Sequence, residues 1–133
     1  MIADTSVMVA AVAPWHEHHH PAQAALRGVD RAIAHTILET YSVLTRLPAP
    51  FRVAPDVAAE LLEARFVGDH LELPAAELRR LVPRLSSAGV SGGATYDGLI
   101  ACTAAHFGLT LLTLDRRAAE SYRRCAVEFE LVA

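Results

Sequence analysis

Short apolar runs alternate along the chain with stretches in which apolar side chains recur at helical spacing. That alternation predicts an α/β fold whose strands are joined by helical crossovers and lie mainly parallel. Met1 to Asp4 reads as a very short first strand, followed by a helical start over Val7 to Val12 that Pro14 ends. His20 to Leu26 continues as helix and Gly28 stops it. Ala32 to Ala34 forms a second strand. Thr36 then opens a helix with Ile37, Tyr41, Leu44 and Leu47 on one face, and Pro48 and Pro50 terminate it. Val57, Ala58, Leu61 and Leu62 mark the next helix, and a short strand surrounds Leu71 and Leu73.

Pro74 suits the first position of another helix. Its buried face is expected from Leu78, Leu81, Val82 and Leu85, with Pro83 kinking or shortening it. After a Ser91-Gly92-Gly93 loop, a periodic helix places Tyr96, Leu99, Ile100, Thr103 and Phe107 on one side, closed by Gly108. Leu109 to Leu114 is the clearest strand. An arginine-rich helix and a final edge strand over Val127 to Val132 complete the pattern. No repeat or linker divides residues 1–133, so a single domain is expected.

Composition changes this picture in two places. The chain is 53% hydrophobic but only 6% aromatic, so Ala, Leu and Val must build the core. All twelve basic residues are Arg. Without Lys there is no P-loop phosphate contact and no amine for Schiff-base or pyridoxal chemistry. The formal charge of −3 lacks the basic excess usual in nucleic-acid binders, unless the acids cluster around a cation and the arginines lie elsewhere. Cys102 and Cys125 show no metal-ligand spacing, and Cys102 falls among apolar helix positions as a small buried hydrophobe. Asp4 and Pro14 interrupt any leader-like run, and no window is long enough to span a membrane. A cytoplasmic protein is the expectation.

The acids carry the chemistry. In open parallel sheets, ligands bind beyond the carboxyl ends of the strands. Asp4 ends the first strand, Asp115 follows the strongest one, and Glu39 lies one turn beyond the second. Asp97, near the start of the helix before the Leu109 strand, is less constrained by this topology. Four carboxylates brought together resist simultaneous ionisation unless a cation sits among them. An all-oxygen set suits Mg²⁺ or Mn²⁺, which lowers the pKa of a bound water and stabilises in-line displacement at a phosphodiester. Each acid also has a plainer reading. Asp4 and Asp115 could cap the helices after them, Thr36-x-x-Glu39 fits a capping box, and Asp97 suits the positive end of its helix.

Four segments in order, Met1–Ser6 (MIADTS), Ile37–Pro48 (ILETYSVLTRLP), Gly92–Ala101 (GGATYDGLIA) and Leu111–Ala118 (LLTLDRRA), resemble a PIN-domain protein. More narrowly, the set resembles the VapC toxins of type II toxin–antitoxin pairs, particularly those of actinobacteria. The resemblance covers essentially the whole chain. It implies a three-layer α/β/α PIN-like fold with a short central sheet, and Mg²⁺- or Mn²⁺-dependent endoribonuclease activity. It maps the family's acidic, metal-binding set onto Asp4, Glu39, Asp97 and Asp115. It also implies a homodimer, a cognate VapB-type antitoxin, and structured RNA (tRNA or a ribosomal RNA loop) as substrate. Gly98 stands where Ala is commoner, a departure expected to loosen the helix locally.

Four further features belong to this reading. Ser6 and Thr113 are candidates to orient a ligand or a bound water, against helix capping for Ser6 and ordinary strand preference for Thr113. Arg116 and Arg117 begin a helix, where the macrodipole disfavours cations, so they are candidate RNA-backbone contacts. His16, His18, His19 and His20 invite a zinc reading, but they lack a completing ligand and are expected to form a polar loop or helix start near the groove. His35, beside the predicted end of the second strand, could approach the acids, although a core or capping role is the plainer expectation. The residues admit two other readings. One is a phosphatase using Asp4 as nucleophile, disfavoured because Ser6 replaces its usual second Asp. The other is a non-catalytic domain that binds RNA or a partner.

Overall fold

A computed structural model describes all residues, 1–133, as five short strands and eight helices. The strands are β1 (Ile2–Ala3), β2 (Ala32–Ile33), β3 (His70–Leu71), β4 (Leu111–Thr113) and β5 (Phe129–Leu131). The helices are α1 (Thr5–Val12), α2 (His19–Ala25), α3 (Ala34–Arg46), α4 (Pro55–Arg65), α5 (Ala75–Arg79), α6 (Leu81–Ala88), α7 (Ala94–His106) and α8 (Arg116–Arg124).

Every strand pairing is parallel: β1 with β4, β4 with β5, and β2 with β3. The hydrogen-bonded ladders form two groups, β1-β4-β5 and β2-β3, with β2 packed beside β1. The order across the molecule is therefore β3-β2-β1-β4-β5, and the chain reverses direction between β1 and β4. Crevices at such reversals are where open α/β sheets place ligands.

Strands this short suffice because both faces are covered. Side chains alternate across a strand. Ile2, Ile33 and Leu111 point into a core shared with α6, α7 and α8. Their neighbours Ala3, Ala32 and Leu112 point into a second core with α1 to α4. The result is the three-layer arrangement the PIN resemblance implies, built on the parallel pairing the alternating pattern predicts.

Several helix readings are corrected. Helix α3 begins at Ala34, two residues before Thr36, so Thr36 is not its cap. The Thr36 hydroxyl instead donates to the Ile33 carbonyl at 2.6 Å. The buried positions of α3 are Thr36, Thr40 and Leu44 rather than Ile37, Tyr41 and Leu47. The helix expected over Leu78 to Leu85 is two, breaking at Arg80. Pro83 lacks an N–H to bond the Arg79 carbonyl and fits only in a first turn, so a new helix starts there. Leu81 and Leu85 are buried, whereas Leu78 and Val82 face outward. On α7, Tyr96 and Phe107 are exposed, while Gly98, Ala101, Cys102 and Ala104 join Ile100 and Thr103 inside. Gly98 does not loosen α7: it lets α7 approach α6, because a Cβ there would meet Leu85 Cδ2 at 2.4 Å.

No helix is long and apolar enough to cross a membrane.

Candidate functional site

The ends of β1 and β4 supply the first two acids. Asp4 follows β1, caps α1 by accepting from Val7 N at 3.2 Å, and is only 2% exposed. Asp115 follows β4 and caps α8, accepting from Arg117 N at 2.8 Å and Ala118 N at 3.2 Å. The capping reading and the site reading are thus the same geometry. A helix that starts just beyond a strand presents its capping carboxylate at the carboxyl edge of the sheet.

Glu39 projects from the second turn of α3 and is held at both oxygens. Thr5 Oγ1 donates to Oε2 at 2.6 Å, and His35 Nε2 lies 2.8 Å from Oε1. The capping-box reading of Glu39 therefore fails, since its partners are the start of α1 and a histidine one turn back. The expectation that His35 is a core or capping residue fails with it. The His35 ring also stacks on Tyr96, with centroids 5.5 Å apart and planes within 9°.

Asp97 sits in the first turn of α7. This helix ends shortly before β4 begins, so it runs back along the sheet and starts at the carboxyl edge. That topology brings in Asp97 as firmly as the others.

All four carboxylates line one cavity of about 580 Å³, together with Ser6, Arg116, Arg117 and Tyr122. Its rim includes His16, Glu17 and His18. Three of the acids are firmly held and one is not. Ser6 donates to Asp4 Oδ1 at 2.5 Å, and Tyr122 donates to Oδ2 at 2.8 Å. Burial pushes the Asp4 carboxyl above its usual range, and these bonds with that of Val7 N oppose the shift. Asp97 receives no hydrogen bond. Burial first, then the charges of Asp115, Glu39 and Asp4, push its pKa up to about 6.

Ser6 lies inside α1, not at its cap. Its hydroxyl joins the two central loops, donating to Asp4 and accepting from Leu114 N at 2.9 Å. Thr113 Oγ1 accepts from Asp115 N at 3.0 Å, fixing the turn that aims Asp115. Arg116 and Arg117 are exposed at the start of α8, and neither joins an ion pair. Tyr122 was invisible to sequence reasoning, because its hydroxyl meets Asp4 only through the packing of α8 on β4. Its position two turns after Asp115 was the one available signal.

The donor set fits a hard divalent cation that retains water. No three His, Cys, Asp or Glu side chains stand close enough to form a ready-made cage. A small cation that keeps several waters needs only a few carboxylates and room for its hydration shell. The cavity supplies that room, and Asp97 is a carboxylate with neighbours of like charge and no donor. The histidines fall instead around the start of α2. His18 precedes α2 as its cap residue and His19 Nδ1 lies 2.7 Å from the Ala10 carbonyl. Cys102 is buried, with its thiol pushed up to about 11, which leaves it unreactive.

A model of the PIN domain matches residues 1–123. Ribonuclease VapC40 of Mycobacterium tuberculosis is 50% identical over 133 residues, covering 99% of both chains. The chain belongs to the PIN-domain family, among the VapC ribonucleases. Ribonuclease VapC27 of Mycobacterium tuberculosis, a more distant VapC relative, is 38% identical over all of this chain and 90% of its own. Two solved structures share the PIN fold. FitAB bound to an IR36 DNA fragment has a TM-score of 0.73 at 21% identity, covering 98% of this chain and 94% of that one. FitAcB from Neisseria gonorrhoeae has a TM-score of 0.66 at 22% identity, over 96% and 94%. The segments that carry the VapC resemblance are those that deliver the four acids to the cavity.

Proposed function

We propose that this chain is the toxin of a type II toxin–antitoxin pair and hydrolyses RNA phosphodiester bonds with Mg²⁺ or Mn²⁺. One observation carries the reading: four carboxylates from distant segments line one cavity, in a chain of the VapC ribonuclease family. Asp4, Glu39, Asp97 and Asp115 would hold the ion. When bound, it supplies an activated water and neutralises charge at the phosphate.

The chain's own residues do the rest. Ser6 and Tyr122 keep Asp4 in place, and Thr5 with His35 does the same for Glu39. Thr113 holds the Asp115 turn. Arg116 and Arg117, free of ion pairs, bind the RNA backbone. In-line attack by water that breaks the bond from phosphorus to the 3′-oxygen leaves 5′-phosphate and 3′-hydroxyl ends and needs no covalent intermediate. A phosphatase route through Asp4 is disfavoured because Ser6 stands where such an enzyme carries its second Asp and the chain has no Lys.

The partners follow from the family. A VapB-type antitoxin would block the acidic groove, and tRNA or ribosomal RNA is the substrate class. A homodimer is part of the same reading. Leu38 and Leu78 share an exposed apolar hollow with Leu71 and Leu99 that offers surface for such contacts.

The test compares growth arrest and metal-dependent RNA cleavage for the wild type, Asp4→Asn and Asp97→Asn. Loss of both effects in both variants is expected. Variants as active as the wild type would end the mechanism, and RNA binding without cleavage by the wild type would favour a non-catalytic role.

A further inference from the structure

The α1–α2 loop and the turn after α3 place a row of aromatic side chains beside the acidic cavity. Trp15 and Phe51 are 44% and 46% exposed, with ring centroids 4.9 Å apart. His16 lies 6.1 Å from Trp15 and His18 lies 5.9 Å from His16. His16 and His18 line the acidic cavity itself, so the row runs from its rim outward to Trp15 and Phe51. We propose that this row is a stacking subsite for an unpaired base of the RNA strand whose phosphate occupies the acidic cavity. The inference rests on the ribonuclease reading and names how the substrate is gripped.

Three observations support that occupant. The row is continuous with the cavity, so a strand entering the acids passes along it. The backbone that carries the rings is tied down before any ligand arrives. His16 N donates to the Ala13 carbonyl and His18 N donates to His16 Nδ1, both at 3.0 Å. On the other side, Phe51 N donates to the Pro48 carbonyl at 3.0 Å and Arg52 Nε to the Leu47 carbonyl at 2.9 Å. Finally, the exposed rings are a poor investment for the fold. In a chain with one Trp, the large indole packs in neither core, although a buried ring would contribute most to stability.

Unpaired bases offer an open π-face to Trp, Phe and His rings, whereas bases within a duplex are already stacked. Discrimination between single-stranded and paired RNA follows. The imidazoles of His16 and His18 also bring ring nitrogens to the base edge, while the acids act on the backbone.

The single tryptophan makes the test direct. A short unstructured oligoribonucleotide is titrated into the wild-type protein with Ca²⁺ in place of Mg²⁺, reading Trp15 fluorescence and the anisotropy of a labelled RNA end. Cleavage with Mg²⁺ is measured for the wild type, Trp15→Ala, Trp15→Phe, Phe51→Ala and Val82→Ala. Saturable quenching that tracks the anisotropy is expected. Trp15→Ala and Phe51→Ala should raise KM about tenfold with kcat within about twofold, and Trp15→Phe should recover most of the loss. Val82→Ala, a still more exposed apolar site on α6, serves as the control and should match the wild type. RNA binding without quenching, or KM unchanged in Trp15→Ala, overturns the subsite while leaving the ribonuclease reading intact. Unchanged cleavage joined to loss of antitoxin binding in Trp15→Ala overturns it in favour of protein docking. A wild type that cleaves no RNA with Mg²⁺ or Mn²⁺ overturns the reading beneath it.

Discussion

The Tyr122 hydroxyl donates to Asp4 Oδ2 at 2.8 Å, joining residues 118 positions apart in a wholly buried contact. Tyr122 is 1% exposed and packs its ring against Phe129 at 5.9 Å. Replacing it with Phe keeps that packing and removes only the donor. A buried carboxylate oxygen left without a partner costs about 1–3 kcal/mol. The bond also lowers the Asp4 pKa against the rise imposed by burial, so its loss moves that pKa further up. Tyr122→Phe should therefore lose about 1–3 kcal/mol in urea denaturation. Cleavage should fall about 10- to 100-fold, with the acid limb of the pH–rate profile displaced upward. An unchanged profile would show that Tyr122 only fills space.

Asp97 makes a prediction with two signs. Its folded pKa is raised from 3.8 to about 6, so its charged form is the strained one. Its contribution to metal-free stability is complete below 3.8 and lost as pH rises through about 6. A divalent cation favours the charged form, so binding should release a proton and tighten as pH climbs from about 5 to about 7. Calorimetry in buffers of different ionisation enthalpy counts that proton. Asp97→Asn should abolish the release and lower cleavage by at least about 100-fold. It should also raise metal-free stability by about 1 kcal/mol, a figure reduced because the group is partly solvated. A destabilised Asp97→Asn protein would contradict this account.

Asp115 combines two roles that one substitution separates. Asn caps a helix about as well as Asp, but it carries no charge for a cation. Asp115→Asn should keep its thermal midpoint while losing metal-dependent cleavage by about 100-fold or more. Asp115→Ala should lose both, with a stability cost of about 1 kcal/mol from the missing cap. Equal loss of stability in the two variants would mean that capping alone explains the residue.

Gly98 tests the packing of α7 on α6. In an isolated helix, Gly→Ala stabilises by about 1 kcal/mol. Here the new methyl would meet Leu85 Cδ2, and that side chain, 3% exposed in the core, would have to shift to admit it. Overpacking of this kind costs about 1–3 kcal/mol, so Gly98→Ala should be net destabilising. Adding Leu85→Val should recover part of the loss. A Gly98→Ala protein more stable than the wild type would refute the close approach.

What could be read from the chain alone was whatever depends on near neighbours. The alternation of strands and helices, the acids beside strand ends, and the helix starts at Asp4 and Asp115 all follow from patterns a few residues long. Local readings failed where a distant partner outbid a near one. Thr36 and Glu39 have capping-box spacing, yet Thr36 bonds back to Ile33 while Glu39 is taken by Thr5 and His35. The inward face of α3 likewise differs from the spacing-based expectation, because Thr36 and Thr40 are buried there beside Leu44.

Which segments carry carboxylates, and in what order they reach the sheet edge, follows from the linear chain. Which of those carboxylates are held, and which is left unpartnered, depends on how the helices pack around the sheet. Hydrogen bonds and burial depend on contacts made across the sheet, and no spacing in the chain encodes them. Asp4 is pinned by Ser6 and Tyr122, whereas Asp97 stands among like charges with no donor. That inequality makes the site one that calls for a cation.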